Sequence, residues 1–173
     1  MTVPHLTTAL SGPLLSLERQ LLEAQPVIEH WLRGKWLEHA APFYASVDLR
    51  NAGFKLAPVD TNLFPGGFNN LAPEFSPLCV QAAMVAVEKV CPEAKGILLI
   101  PENHTRNTFY LQNVVALQSI LRQAGMRVRV GSLNPEIAAA TTLDLPSGAK
   151  LTLEPVVRNG RRVGLDGFDP CTI

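Results

Sequence analysis

The sequence has little charge and no long apolar run. Of its 173 residues 17% are charged, and 15 basic residues balance 15 acidic ones. A chain without basic excess has no overall field to hold nucleic acid or an anionic membrane. The longest uninterrupted apolar run, Ala82 to Val87, has six residues, whereas a membrane-spanning helix needs about 18 or more. We therefore expect no nucleic-acid partner and no membrane span.

Cysteine is also scarce. Cys79, Cys91 and Cys171 are far apart and form no C-x-x-C pair, a pattern that favours reduced thiols over a disulfide framework or a zinc knuckle. The first ten residues lack the basic and apolar regions of a signal peptide. These features predict a soluble, cytoplasmic protein.

Several catalytic motifs are absent. The sequence contains no G-x-x-x-x-G-K-[ST], no G-x-G-x-x-G, no H-E-x-x-H and no G-x-S-x-G. A Walker ATPase, a standard dinucleotide site, a zinc protease and an elbow-type serine hydrolase therefore have no support. The four histidines show no metal-ligand spacing.

What is present favours one folded domain, or one and a half. Apolar residues make up 47% of the chain, well above the range of disordered segments. Ser11 can cap a first helix, whose apolar stripe runs from Leu10 to Leu21 at helical spacing. Pro26 then begins a second helix, because proline is tolerated in a first turn.

The middle of the chain predicts an α/β core. Phe43 to Asp48 and Lys55 to Asp60 have strand character. The segment Pro77 to Cys91 is apolar on nearly every side, which predicts a helix buried against a sheet.

A β-α-β unit follows. Gly96 to Pro101 is all apolar, as in a central strand of a parallel sheet, and Asn107 to Ala124 has a helical stripe that stops at Gly125. Met126 to Val130 alternates strictly, which predicts a strand near a sheet edge with one face in water. The order predicts a right-handed parallel crossover.

The last third predicts an appended antiparallel β-meander, with turns at Pro146–Gly148 and Asn159–Gly160. Asn-Gly between strands is a strong signal for a type I′ hairpin. We divide the chain into an N-terminal helical segment (1–40), an α/β core (41–135) and the meander (136–173).

The first group of candidate site residues consists of polar side chains interspersed in the otherwise apolar segment from 46 to 62. Its members are Asp48, Arg50, Asn51, Lys55, Asp60 and Asn62. Arg50 offers a planar fork for a carboxylate and Lys55 a point charge for a carboxylate or phosphate, while Asp60 and Asn62 could hold an ammonium group. Internal ion pairs and loop caps are the alternative interpretation.

Two further groups lie in loops. In the segment 65–70, the backbone at Gly66, Gly67, Asn69 and Asn70 could face an anion, or could simply form a turn. Glu102, His104 and Arg106 follow the predicted central strand, at the end where open α/β sheets bind ligands.

In this second loop His104 could act as base or ligand, Glu102 could orient it, and Arg106 could meet an anion. Alternatively, Thr105 or Asn107 caps the next helix and Arg106 is exposed.

Two long stretches carry a resemblance to a known family. DLRNAGFKLAPVDTNLFPGGFNN (48–70) and IPENHTRNTFYLQN (100–113) closely resemble the amino-terminal part of the proteobacterial glutamate-cysteine ligase family, which is related to the ATP-grasp enzymes. The resemblance continues to the closing FDPCTI (168–173), where family members extend into a nucleotide-binding half. We therefore expect this chain to be part of a larger enzyme.

The resemblance implies a Rossmann-like, pre-ATP-grasp type three-layer α/β domain with N-terminal helices and the appended meander. It also implies ATP-dependent joining of the glutamate γ-carboxylate to the cysteine amine, the first step of glutathione synthesis. ATP and Mg²⁺ would bind the other half, in cis or as a separate chain, and no cofactor is expected to bind these residues tightly. Alone, the chain is expected to be inactive.

Our hypothesis is that the candidate residues line an amino-acid pocket for glutamate or cysteine. The alternative is a non-catalytic α/β module that binds an amino acid or a small anion. Exposed strand edges also make a homo-oligomer possible.

Overall fold

The computed structural model describes residues 12–52, 55–63, 66–103, 107–168 and 170. The chain divides into two compact units, Met1–Pro65 (unit 1) and Gly66–Ile173 (unit 2). Both helices and strands are present in each unit, so the predicted α/β class is confirmed. No described helix is long and apolar enough to cross a membrane. The three-part division of the chain stays a prediction.

Unit 1 consists of two helices followed by a β-hairpin. The helices are α1 (Gly12–Glu23) and α2 (Gln25–Glu38), and Pro26 lies in the first turn of α2 as predicted. The strands are β1 (Ser46–Asn51) and β2 (Leu56–Asn62), which pair antiparallel. The predicted cap Ser11 lies outside the described residues. No described residue of unit 1 is buried.

Unit 2 begins with two short 3₁₀ turns, Phe68–Asn70 and Pro73–Phe75, and continues with helix α3 (Ser76–Val90). The remaining helix is α4 (Thr108–Gln123). The strands among the described residues of unit 2 are β3 (Gly96–Leu99), β4 (Arg127–Ser132), β5 (Thr141–Asp144), β6 (Lys150–Pro155), β7 (Val157–Asn159) and β8 (Arg162–Gly164).

The main sheet has the strand order β3-β4-β6-β5. Strand β4 runs parallel to β3 and to β6, and β5 pairs antiparallel with β6. The predicted parallel crossover is therefore present as β3-α4-β4. The predicted strand positions were wrong, because β4 lies inside the described sheet and β3 lies at its end. The alternating Arg129 is not in open water, because Glu154 and the ring of Phe168 cover it.

Helix α4 packs on one face of this sheet. Asn107 caps its N-terminus by accepting hydrogen bonds from the backbone N–H groups of Phe109 and Tyr110, and Gly125 follows its C-terminus with a φ of 89°. Both features confirm the predicted ends. The buried core cluster combines α4 with β4, β6 and the β5–β6 turn: Leu111, Val114, Val130, Leu145, Leu151 and Leu153.

Helix α3 departs from its prediction. Val87 is its only buried residue, and the helix packs beside α4. A segment that is apolar on nearly every side therefore leaves much of its surface exposed, including Met84 and Val85.

The cysteine prediction holds in part. Cys79 is a free thiol, whereas Cys91, just after α3, is disulfide-bonded. The prediction for Cys91 was wrong because spacing along the chain does not show which sulfurs meet in space.

The C-terminal strands do not form one meander. Strands β5 and β6 join the main sheet, and β7 and β8 make a separate two-stranded sheet. The turn at 146–148 is present, with a φ of 80° at Gly148. In the second hairpin Asn159 pairs with Arg162, and of the two turn residues between them only Gly160 has a positive φ, of 62°. This is the pattern of a type II′ turn, not the predicted type I′ turn.

Candidate functional site

Four of the six residues in the first candidate group share one face of the β1–β2 hairpin. Asp48 pairs directly with Asp60, and Arg50 lies two residues further along β1; the register shift between Asp48 and Leu49 leaves the extra residue, Val59, on β2, so the alternation along β1 is kept. Paired residues of antiparallel strands project from the same face, as do residues two apart on one strand. Asn62, two residues from Asp60, therefore joins them. The register places four predicted residues together on what we call the polar hairpin face: Asp48, Arg50, Asp60 and Asn62.

The bonding on this face is local. Asp60 accepts hydrogen bonds from the backbone N–H of Thr61 at 2.9 Å and from the side-chain amide of Asn62 at 3.4 Å. Among the described residues Arg50 makes no ion pair, and its side chain is exposed. The guanidinium and the two carboxylates therefore present both signs of charge to solvent.

The other two residues of the group lie away from this face. Asn51 pairs with Leu56, and by alternation it belongs to the opposite face. Lys55 lies in the connection between the strands, where its carbonyl accepts a 3.0 Å hydrogen bond from the N–H of Ala52.

The glycine-containing loop is fastened to helix α4. Gly67 has a φ of 95°, a conformation that favours glycine. The next N–H, of Phe68, donates to the side-chain oxygen of buried Asn113 at 2.8 Å, and the N–H of Asn70 donates to the Gly67 carbonyl at 2.9 Å. Because these two donors are already used, the arrangement favours the structural interpretation of the loop over the anion cradle.

The remaining candidates follow β3. Glu102 is exposed, and its backbone N–H donates to the hydroxyl of Tyr110 at 2.9 Å. His104 and Arg106 lie outside the described residues. The capping alternative is confirmed for Asn107.

The predicted residues therefore fall into two sets, one in each unit. The register brings four of the unit 1 residues together. In unit 2, Gly66, Gly67, Asn69 and Asn70 belong to the loop held by Asn113, and Glu102 to the segment held by Tyr110. Sequence reasoning placed neither Asn113 nor Tyr110 in the candidate site, although both lie within the 100–113 stretch that carries the resemblance.

The least exposed ion pair of the described residues was also missed. The Arg129 guanidinium and the Glu154 carboxylate form a bidentate pair, with Nε to Oε1 at 2.8 Å, and Nη1 of Arg129 donates to the Asp166 carbonyl at 3.0 Å. The guanidinium also lies 5.2 Å from the centroid of the Phe168 ring. The hydrogen bond from Arg129 lowers the pKa of Glu154, against the opposing effect of burial. The same hydrogen bond raises the pKa of Arg129.

This pair borders a cleft of about 130 Å³ between α4, β4 and β6. None of the predicted site residues lines it. Gln118 and Arg122 donate from α4 to the Val128 carbonyl at 3.3 and 3.1 Å. These bonds occur where β4 has not yet paired with β6, since that pairing begins at Val130, so the polar lining has a structural explanation.

Within the described residues no three His, Cys, Asp or Glu side chains are grouped to hold a metal ion. The Asp48–Asp60 pair supplies two carboxylates only.

Comparison with known proteins decides the family. The model of the glutamate-cysteine ligase family matches residues 18–173. The chain belongs to the glutamate-cysteine ligase family. No curated protein matches the sequence.

A solved structure of this kind supports the same assignment. The crystal structure at 1.90 Å resolution of a Methylobacillus flagellatus KT protein, provisionally named a gamma-glutamylcysteine synthetase, is 69% identical to this chain with a TM-score of 0.86. The alignment covers 100% of this chain and 41% of that chain. This glutamate-cysteine ligase family member thus spans less than half the length of its solved relative.

Proposed function

We propose that this chain is the substrate-domain portion of a glutamate-cysteine ligase, which forms γ-glutamylcysteine from glutamate, cysteine and ATP. Membership of the family and the name of the Methylobacillus protein support this assignment. In the proposed reaction ATP transfers its γ-phosphoryl group to the glutamate γ-carboxylate, giving ADP and an acyl phosphate. The cysteine amine then attacks the acyl carbon and expels phosphate.

The polar hairpin face is the observation that carries the substrate assignment. Asp48 and Asp60 are directly paired, and like charges in this position repel each other. An ammonium group placed between them would remove the repulsion, and Arg50 on the same face would bind the α-carboxylate through its fork. An amino acid in its zwitterionic form carries both of these groups, so this face fits the head of glutamate or cysteine.

The nucleotide chemistry belongs, in our proposal, to the part of the longer relatives that has no counterpart here. Transferring a phosphoryl group requires cations and positioned carboxylates around the phosphates. ATP and Mg²⁺ would supply the activated carboxylate there, in an ATP-grasp half attached in cis or contributed by another chain. Glu102, His104 and Arg106, which follow β3 in the sequence, remain a separate group of candidates for substrate binding.

Calorimetry on the 173-residue chain tests the amino-acid site. We expect glutamate or cysteine to bind. Arg50→Ala should lower the affinity for that amino acid at least tenfold, because a charge-assisted hydrogen bond contributes about 1.5–3 kcal/mol. Arg161→Ala, which removes an exposed arginine from the β7–β8 turn, is the matched control and should leave the affinity unchanged. Absence of binding by both amino acids, or equal affinities for the Arg50 variant and the parent, would overturn the pocket assignment.

An activity assay on the chain alone tests whether it needs the remaining part of the enzyme. Incubated with ATP, Mg²⁺, glutamate and cysteine, it should form no γ-glutamylcysteine, whereas a chimera in which it replaces the matched 41% of the Methylobacillus protein should form it. Product made by the chain alone would contradict the need for the remaining part. A folded chimera that binds amino acid without forming product would instead favour a non-catalytic binding module.

A further inference from the structure

Unit 1 exposes large apolar side chains on both of its helices. Leu21 and Leu22 on α1 are exposed, and so are Val27, Trp31, Trp36 and Leu37 on α2. The exposed fractions of Trp31, Trp36 and Leu37 are 59%, 58% and 90%. By helical spacing Val27 and Trp31 share one side of α2, whereas Trp36 and Leu37 project from other sides, so the exposed set surrounds the helix. We call this set the apolar helix surface. Single exposed apolar residues are ordinary, but a group that includes two tryptophans marks a surface that is covered in the working protein.

The rest of unit 1 shows the same lack of cover. On β1, Val47 and Leu49 alternate with Asp48 and Arg50, so they belong to the face opposite the polar hairpin face, and both are exposed. A two-stranded hairpin and helices of 12 and 14 residues are marginal in water without packing. No described residue of this unit is buried, so the described part of unit 1 has no core of its own.

The charges on α2 indicate the chemistry of that partner. Glu29 approaches Arg33 at 3.9 Å, and Lys35 donates to Glu38 at 2.6 Å. These pairs satisfy the charges within the helix, whereas the apolar side chains have no counterpart. The partner surface is therefore apolar, and its binding should depend little on salt.

We infer that the apolar helix surface is the docking site for the remainder of a longer ligase polypeptide, that is, for the part of the Methylobacillus protein outside its matched 41%. More than half of that relative has no counterpart in this chain, although the whole of this chain aligns with it. A second copy is a poorer occupant, since a symmetric pair covers one self-complementary patch, whereas here both the helices and the hairpin are uncovered. The inference rests on the proposed function for the identity of the partner.

Tryptophan labelling can test this interface directly. Trp31 and Trp36 are the only tryptophans of the sequence, so their oxidation by hydroxyl radicals, read by mass spectrometry, reports on α2 alone. In the chimera described above, both tryptophans should be labelled at least fivefold more slowly than in the 173-residue chain at equal concentration. Phe109, exposed in unit 2, is the internal reference that corrects for radical dose.

Three results would overturn the inference. Equal tryptophan labelling in a folded chimera and in the isolated chain would show that the remainder does not cover α2. Protection that rises with the concentration of the isolated chain would assign the surface to a second copy. In the Methylobacillus protein itself, fast labelling of the residues aligned with Trp31, Trp36 and Leu37 would show, without any chimera, that the remainder leaves these positions uncovered.

The outcome is separable from that of the proposed function. A chimera that protects both tryptophans but forms no γ-glutamylcysteine supports the interface and counts against the ligase. A chimera that forms product while both tryptophans stay exposed supports the ligase and counts against the interface. A Leu37→Asp variant sharpens the distinction, because it should lower the Tm of the chimera by several degrees and leave that of the isolated chain unchanged.

Discussion

At the scale of single residues, the Arg129–Glu154 pair shows how a polar side chain inside a sheet is accommodated. The two residues lie 25 positions apart in sequence, on β4 and β6. Both guanidinium edges are used, and the Phe168 ring covers the group. The strict alternation of β4 therefore reflects an ion pair between neighbouring strands.

The lowered pKa of Glu154 predicts a pH-dependent contribution to stability. An acid whose pKa is lower in the folded state stabilises the fold above its unfolded pKa, near 4.3, and loses that contribution as the pH falls through the folded pKa. We expect Glu154→Gln to lower the free energy of unfolding at pH 7 by about 1 kcal/mol. The difference from the parent should shrink progressively below pH ~4.

Chemical denaturation at several pH values measures this difference. Asp144→Asn is the control, because the Lys150–Asp144 pair is exposed and such pairs contribute little. A Glu154→Gln variant whose deficit stays constant from pH 7 to pH 3 would show that the pair does not titrate as described.

At the scale of elements, the covering of the sheet depends on a glycine in β4. Val130 belongs to the core under α4, and its neighbour Gly131 faces the other side. A Cβ at Gly131 would lie 2.6 Å from Cγ2 of Val156 and 3.1 Å from Cδ1 of Leu98. Only glycine allows the segment after β6 to approach this closely.

Two alanine substitutions test this packing. Gly131→Ala should lower the free energy of unfolding by about 1–3 kcal/mol, the usual cost of an overpacked core. Gly34→Ala, inside α2 with nothing within 4 Å of its Cβ, should be neutral or stabilise by about 1 kcal/mol at most. Thermal melts of the two variants give the comparison, and a Gly131→Ala protein as stable as its parent would refute the described contact.

At the scale of the whole molecule, the two units differ in how much they bury. Unit 2 holds all the buried residues of the described chain, and unit 1 holds none. The family resemblance predicted a domain that belongs to a longer enzyme. The chain aligns with 41% of the Methylobacillus protein, and that it belongs to a longer enzyme stays a prediction.

Hydrogen exchange of the 173-residue chain should reflect this difference. Amides of α4 and β4, which enclose the core, should exchange at least a hundredfold more slowly than those of α1 and α2, because local stability follows buried contacts. Exchange monitored by mass spectrometry resolves these segments. Similar protection of α2 and α4 in the isolated chain at low concentration would show that unit 1 is stable without a partner.

The sequence by itself determined the local features of this protein. Helix ends at Asn107 and Gly125, the turn at 146–148 and the parallel β-α-β unit follow from spacing, capping and turn chemistry within a few residues. The two long stretches from 48 to 70 and from 100 to 113 were sufficient to indicate the family.

Only the tertiary structure decided which residues meet. Four features depend on contacts between segments that are separated in sequence. They are the inside position of β4, the pairing of Asp48 with Asp60, the anchoring of the glycine loop by Asn113 and the disulfide at Cys91. Such contacts depend on how strands and helices pack against each other, and the pattern within one segment does not contain that information. The composition shows a chain poor in charge, and the structure shows that many apolar side chains in the described part of unit 1 are exposed.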